Sequence, residues 1–160
     1  MRRVSLIGGL LVGVAALGAL QSVIYILIGL IAGAHLQAGA AGALVIVVLG
    51  AFISVAFGAL GCAVALRTGS GEVVQGLFPL FFVFLFLSSS NLPRELLKTG
   101  WFHTVATWNP VSYLIEGFRS LFIFGWDGTA LWRGFLVATA LTVLALVGVA
   151  GALRARMQRT

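Results

Sequence analysis

Apolar residues run along this chain in blocks too long for a soluble fold, separated by short polar breaks. From Val4 to Gly33 the only polar interruptions are Ser5, Gln21, Ser22 and the phenol of Tyr25. A second block runs from about Ala41 to Leu66, a third from about Val73 to Leu87, and a fourth from about Leu131 to Leu153. A bilayer core about 30 Å thick is crossed by about 20 helical residues. The pattern therefore predicts an all-α integral membrane protein, a single transmembrane domain over 1–160 with spans at about 4–33, 41–66, 73–87 and 131–153. The first block is longer than one crossing needs, which tilt accommodates. The second carries Gly50, Ser54, Gly58, Gly61 and Ala65, small residues that permit close helix approach. Met-Arg-Arg precedes the first block, whose length is about twice that of a secretory hydrophobic region. It reads as a retained span.

The link from His35 to Ala40 suits an antiparallel helical hairpin. Arg67 to Glu72, "RTGSGE", is a polar turn rich in Gly and Ser. Ser88 to Ala130 is far longer and carries its own helical pattern. Ser88, Ser89, Ser90 and Asn91 are cap-forming residues ahead of Pro93, and Asn109-Pro110 repeats the same punctuation. Between them Leu97, Trp101, Val105 and Trp108 recur at helical spacing. After them Val111, Leu114, Ile115, Phe118, Leu121 and Phe122 form one apolar face. Two short helices are thus expected at about 93–108 and 110–124. The periodicity is the same for a pair lying flat at the outer interface and for a re-entrant pair dipping into the membrane. In the second case the joint at Asn109 must be buried in protein or face water, because unsatisfied backbone does not face lipid.

Composition confirms the class: 61% of the residues are hydrophobic and 9% charged, against roughly 45–50% and 25% in soluble domains. The net charge of +6 comes from ten Lys and Arg against four Asp and Glu. No basic stripe interleaved with polar and aromatic groups is present, so the positive charge points to membrane lipids and away from nucleic acid. With four spans, one side of the membrane holds Arg2, Arg3, Arg67, Arg154, Arg156 and Arg159, and the other holds Arg94, Lys98, Arg119 and Arg133. Positive residues are retained in the cytoplasm, which places both termini there.

The polar residues inside this apolar frame are the functional candidates. Glu116 and Arg119, three apart, are spaced to pair across a helical turn and to set the height of the outer helices or gate them. Gln21 is a lone amide in a long apolar helix and needs another helix, water, backbone or a solute as its partner. Of the Phe-rich third block, Phe78, Phe82 and Phe86 make one stripe that can line a path, while Phe81 must face elsewhere. Cys62 is read as a small buried hydrophobe. His35, His103 and Asp127 show no metal-ligand spacing, so neither a metal nor a catalytic residue is expected.

"FLFLSSSNLPRELLKTGWFHTVATWNPVSYLIEGFRSLFIFG", Phe84 to Gly125, resembles the corresponding stretch of the ABC-2 type permeases, membrane subunits of bacterial ABC exporters, most of all the drug-resistance and polyketide-export group. The landmarks are Ser88 to Ser90, Leu92-Pro93, Asn109-Pro110 and Arg119-Ser120-Leu121. The resemblance implies a multi-pass protein of the bacterial plasma membrane that corresponds to the last four of six spans. It implies a second permease copy or a separate amino-terminal half, and a nucleotide-binding ATPase subunit that uses ATP as cofactor in the permease's stead. The exported compound would be an amphipathic drug, lipid or glycan-like molecule. Arg67 and Glu72 would then lie in a turn on the ATPase side, and Asn109, Pro110, Glu116 and Arg119 in the outer helices. The chain fits that division of labour: it has no phosphate-binding G-x-x-x-x-G-K-[ST] loop, and "GSGE" at 69–72 lacks the lysine. The alternative is a small non-transport membrane protein serving as assembly or immunity partner of a larger permease.

Overall fold

A computed structural model describes residues 3–90 and 100–157. The described chain is helical: α1 (Arg3–Ile31), α2 (Gly39–Thr68), α3 (Gly71–Gly76), α4 (Phe78–Phe86), α5 (Trp101–Trp108), α6 (Pro110–Arg119), a π-helical turn (Ser120–Phe124) and α7 (Gly128–Met157). Three of these helices are long and apolar enough to cross a membrane, Ser5–Ile31, Gly39–Thr68 and Gly128–Arg154.

Helix α1 packs antiparallel on α2 through small residues. Gly18 lies against Ser54 and Gly50, and Ser22 against Gly50, so closely that a Cβ added at Gly18 would stand 2.0 Å from Ser54 Oγ. The Ser22 hydroxyl is turned back to the Gly18 carbonyl at 2.9 Å, satisfied within its own helix. Helix α2 ends at Gly69, whose φ of 74° lets its N–H return to the carbonyl of Ala65, the left-handed cap that glycine adopts without a Cβ penalty.

Helix α7 runs parallel to α2. Leu131 clusters with Ile46, Ala138 with Leu49, and Ala145 and Val149 with Ala59 and Ala63. Parallel packing means that the chain returns across the bundle between residues 68 and 128. That return begins with α3 and α4, where the third span was expected as one helix over 73–87. It is instead a shorter, broken pair spanning 71–86. Pro79, near the start of α4, has no amide proton to donate back into the preceding turn. The break falls at Leu77, where the ladder tightens to i→i+3 bonds, Leu77 to Val74 and Leu80 to Leu77. The pair is about 24 Å long at the helical rise, so it covers most of the bilayer core but not all of it.

The remaining expected boundaries agree to within a few residues, apart from two. Residues 93–99 of the first short helix lie outside the described residues, and its described part is α5. The second short helix ends as α-helix at Arg119 and widens into the π-helical turn over 120–124. The carbonyls of Leu121 and Phe122 in that turn accept the N–H groups of Ala38 and Gln37 in the α1–α2 hairpin. The turn thereby fastens the outer ends of the bundle together.

Helix α6 decides between the flat and the re-entrant arrangement. It packs lengthwise and antiparallel on α7, with Gly117 against Gly134 and the carbonyl of Ala130, and Leu114 in one core cluster with Leu49 and Ala138. Leu49 and Ala138 are each ten residues from the start of their helix, about 15 Å inward at 1.5 Å per residue. Asn109 and Pro110 lie deeper still. The α5–α6 pair is re-entrant, and its joint sits inside the bundle.

Candidate functional site

The joint is held by a knot of buried polar groups from α4, α6 and the turns that follow them. Asn109 has an extended backbone (φ −78°, ψ 116°), as the following proline requires. Its Oδ1 accepts the N–H of Val111 at 2.9 Å, capping α6. Its Nδ2 donates to the carbonyl of Phe84 in α4 at 2.6 Å. The Ser89 N–H donates to Ser112 Oγ at 3.1 Å, and the Ser89 hydroxyl to the Ser112 carbonyl at 3.3 Å. Ser88, Ser89, Asn109, Ser112 and Ser120 are all buried. Tyr113 carries the knot on to α5 through a 2.9 Å hydrogen bond to the carbonyl of Thr107. The serines and Asn-Pro that punctuate the sequence are therefore the groups that satisfy the non-helical backbone of a re-entrant joint.

Arg119 belongs to the same knot. Its Nη2 donates to the carbonyls of Ser89 and Ser90, both at 2.8 Å, where α4 has ended and left carbonyls without intrahelical donors. The expected pairing of Arg119 with Glu116 across the turn is not the one found. The guanidinium reaches α4's end, about 30 residues back in the chain, and Glu116 has its own partner. The second amino group of Arg119, Nη1, is buried without a hydrogen bond.

Beside the knot lies a groove of about 350 Å³ between α2, α4 and α6. Ile53 and Phe57 come from α2, Phe78, Phe81, Phe82 and Leu85 from α4, and Val111, Leu114, Ile115 and Phe118 from α6. All ten are apolar. Phe57 and Phe81 meet edge to face at 5.1 Å. Two of the three expected stripe residues, Phe78 and Phe82, line the groove. Phe86 continues the ring ladder, with centroid separations of 5.8 Å from Phe78 to Phe82 and 6.4 Å from Phe82 to Phe86, but lies past the groove's edge. Phe81, set apart from the stripe by sequence, is in the wall as well. The α6 face was visible in the sequence as Val111, Leu114, Ile115 and Phe118. What no periodicity announces is that α2 supplies the opposite side.

Gln21 is away from both features, exposed on α1. Arg67 and Glu72 lie outside both, in the turn that joins α2 to α3. Their turn is exposed and well formed: Ser70 Oγ accepts the Glu72 N–H at 3.1 Å, and Thr68 Oγ1 donates to the Val64 carbonyl at 2.9 Å. Among the described residues no group of three His, Cys, Asp or Glu side chains is placed to hold a metal ion.

Comparison with family models matches residues 1–123 to the model described as ABC-2 type transporter. Comparisons with curated proteins and with solved structures gave no match.

Proposed function

The chain belongs to the ABC-2 type transporter family, and on that premise we propose that it is a membrane subunit of an ATP-driven exporter moving an amphipathic drug, lipid or glycan-like compound outward across the bacterial plasma membrane. The family gives the coarse assignment, a transporter permease that is not itself catalytic. The observation that carries the finer reading is the groove. An all-apolar recess beside a buried polar knot offers two solvents within one site, and an amphipathic molecule needs both. Its walls come from helices of different stability. Helix α2 is clamped between α1 and α7, whereas α4 is a nine-residue helix with no buried residue.

Energy for transport comes, on this reading, from a nucleotide-binding ATPase subunit that binds ATP, and the working unit contains a second permease copy. The amino end of α1 and the carboxyl ends of α2 and α7 lie at one end of the bundle, with Arg67 and Arg154 there. Retention of positive residues assigns that end, and both termini, to the cytoplasm. The exposed Arg67–Glu72 turn is then the surface offered to the ATPase.

The test is reconstitution of the chain in proteoliposomes with a nucleotide-binding ATPase subunit from the same cell. Co-purification and raised ATP turnover in the presence of a transported amphipath are the expected results. An ATPase that neither associates nor changes its turnover overturns the exporter reading.

A further inference from the structure

Arg119 is bonded through one half of its guanidinium and not through the other. Nη2 donates to the Ser89 and Ser90 carbonyls at 2.8 Å each, while Nη1 is buried without an acceptor among the described residues. A guanidinium is not deprotonated in proteins, and both carbonyls that hold it are neutral. They satisfy two hydrogen bonds and leave the positive charge in place, where the surroundings make such a charge costly.

The apolar groove leads to that charge along two of its walls. On α6, Phe118 is the neighbour of Arg119 and Ile115 stands four residues before it, one turn back on the same side of the helix. On α4, the carbonyl of Leu85 accepts the Ser90 hydroxyl at 3.4 Å, so this wall also ends at the groups that hold Arg119. Two residues past Arg119, the Leu121 carbonyl is tied to the α1–α2 hairpin. The guanidinium therefore lies near one end of the bundle. From it the groove runs inward to Phe57, eighteen residues along α2 from Gly39, about 27 Å at the helical rise. A fixed positive charge near the membrane surface, with hydrocarbon walls running inward from it, has the layout of a lipid binding site.

We propose that the groove holds a lipid with an anionic phosphate headgroup, the phosphate at Arg119 and a chain between α2, α4 and α6. Charge selects this occupant. A cationic amphipath is repelled and an uncharged one leaves Arg119 as it stands, whereas phosphate oxygens match the planar fork of a guanidinium. Phosphate is also the anion that a bilayer offers at headgroup level. Nη1 is enclosed, so one wall must give way as the head enters. Helix α4, which has no buried residue, is the wall able to do so. The proposal rests on the groove being the site of an amphipath and names the head that this amphipath carries. Its experiment reads lipid binding with no ATPase present, so failure of the exporter reading leaves it standing.

The full chain is placed in phosphatidylcholine vesicles doped with a phosphatidylglycerol whose chain carries a diazirine, and cross-linked peptides are identified by mass spectrometry. Label is expected on α2 and α6 around Phe57 and Ile115. A diacylglycerol with the same photoactive chain and no phosphate should label there about tenfold less, the scale of one charge-assisted hydrogen bond. Arg119→Gln should bring phosphatidylglycerol down to the diacylglycerol level, and Arg119→Lys, which keeps the charge, should restore much of it. Arg133→Gln, which removes an exposed cation from the first turns of α7, should change nothing. Arg119→Gln also frees the end of α4, so the natural chain gives an independent reading: equal labelling of its groove by the two lipids overturns the proposal. An equal loss of label in Arg133→Gln and Arg119→Gln, the mark of overall charge, overturns it as well. So does a cationic photoactive lipid that labels the groove in place of phosphatidylglycerol, an outcome that leaves export of an amphipath intact.

Discussion

Asn109 and Arg119 do different work at the two ends of α6. Asn109 satisfies one backbone N–H in its own helix and one carbonyl in α4, so Asn109→Ala removes a cap and a tie together. We expect a loss of about 1–3 kcal/mol, measurable by unfolding in detergent. Asn109→Asp should recover the cap but not the bond to the Phe84 carbonyl, because a carboxylate has no proton to donate there, and so should fall between. An Asp variant as stable as the natural chain would show that the Phe84 bond contributes nothing. Arg119 serves carbonyls rather than a carboxylate, so its partner set is not one that a charge pattern displays. The spacing of Glu116 and Arg119 suggested a pair across one turn. The end of α4, with carbonyls lacking intrahelical donors, is what the guanidinium meets instead. Sequence named both knot residues as candidates and missed what they hold, because backbone acceptors carry no side-chain signature.

Elements differ in how tightly their neighbours bind them. The α1–α2 contact depends on missing side chains: Gly18 faces Ser54, while Gly8 has open space at its Cβ. Gly18→Leu should therefore destabilise by about 1–3 kcal/mol or more through overpacking, and Gly8→Leu should stay within about 0.5 kcal/mol of the natural chain. Thermal unfolding of both variants in the same detergent checks the contrast, and equal effects would remove close approach as the cause. Gly69 is a separate case, constrained by its φ of 74°. Gly69→Ala should cost about 1 kcal/mol of stability and fray the end of α2, seen as faster amide exchange there. The long helices were legible because a run of apolar residues has one solution in lipid. The broken α3–α4 pair was less so: Pro79 was visible near the start of the third block, but a proline within the first turn of a helix is ordinary. Only the loss of the ladder at Leu77 shows that a second helix begins there.

At the scale of the whole molecule, parallel packing of α2 and α7 makes the short α3–α4 pair a crossing, which places Arg67 and Thr129 at opposite ends of the bundle. Membrane-impermeant labelling of Arg67→Cys and Thr129→Cys, each with Cys62→Ala, should mark opposite sides, and same-side labelling would remove the crossing. The groove predicts a transport phenotype. Ile115→Trp fills it from the α6 wall and should lower export of an amphipath by about tenfold or more, the scale set by misfit in an apolar pocket, with the folded yield retained. Phe86→Trp, beyond the groove's edge, should change export little, and equal losses in the two variants would place the path elsewhere. By itself the sequence determined the membrane class, the three long apolar helices and the polar punctuation that carries the family resemblance. These are local properties, written in the length and period of apolar runs and in the residues that cap helices. Only tertiary structure decided that the α5–α6 joint lies inside the bundle, that Arg119 reaches back to α4, and that Ile53 and Phe57 face the Phe ladder across a groove. Those outcomes depend on which helix faces which, and in lipid that choice follows packing shape and hydrogen-bond partners rather than hydrophobicity, since every helix surface is already apolar.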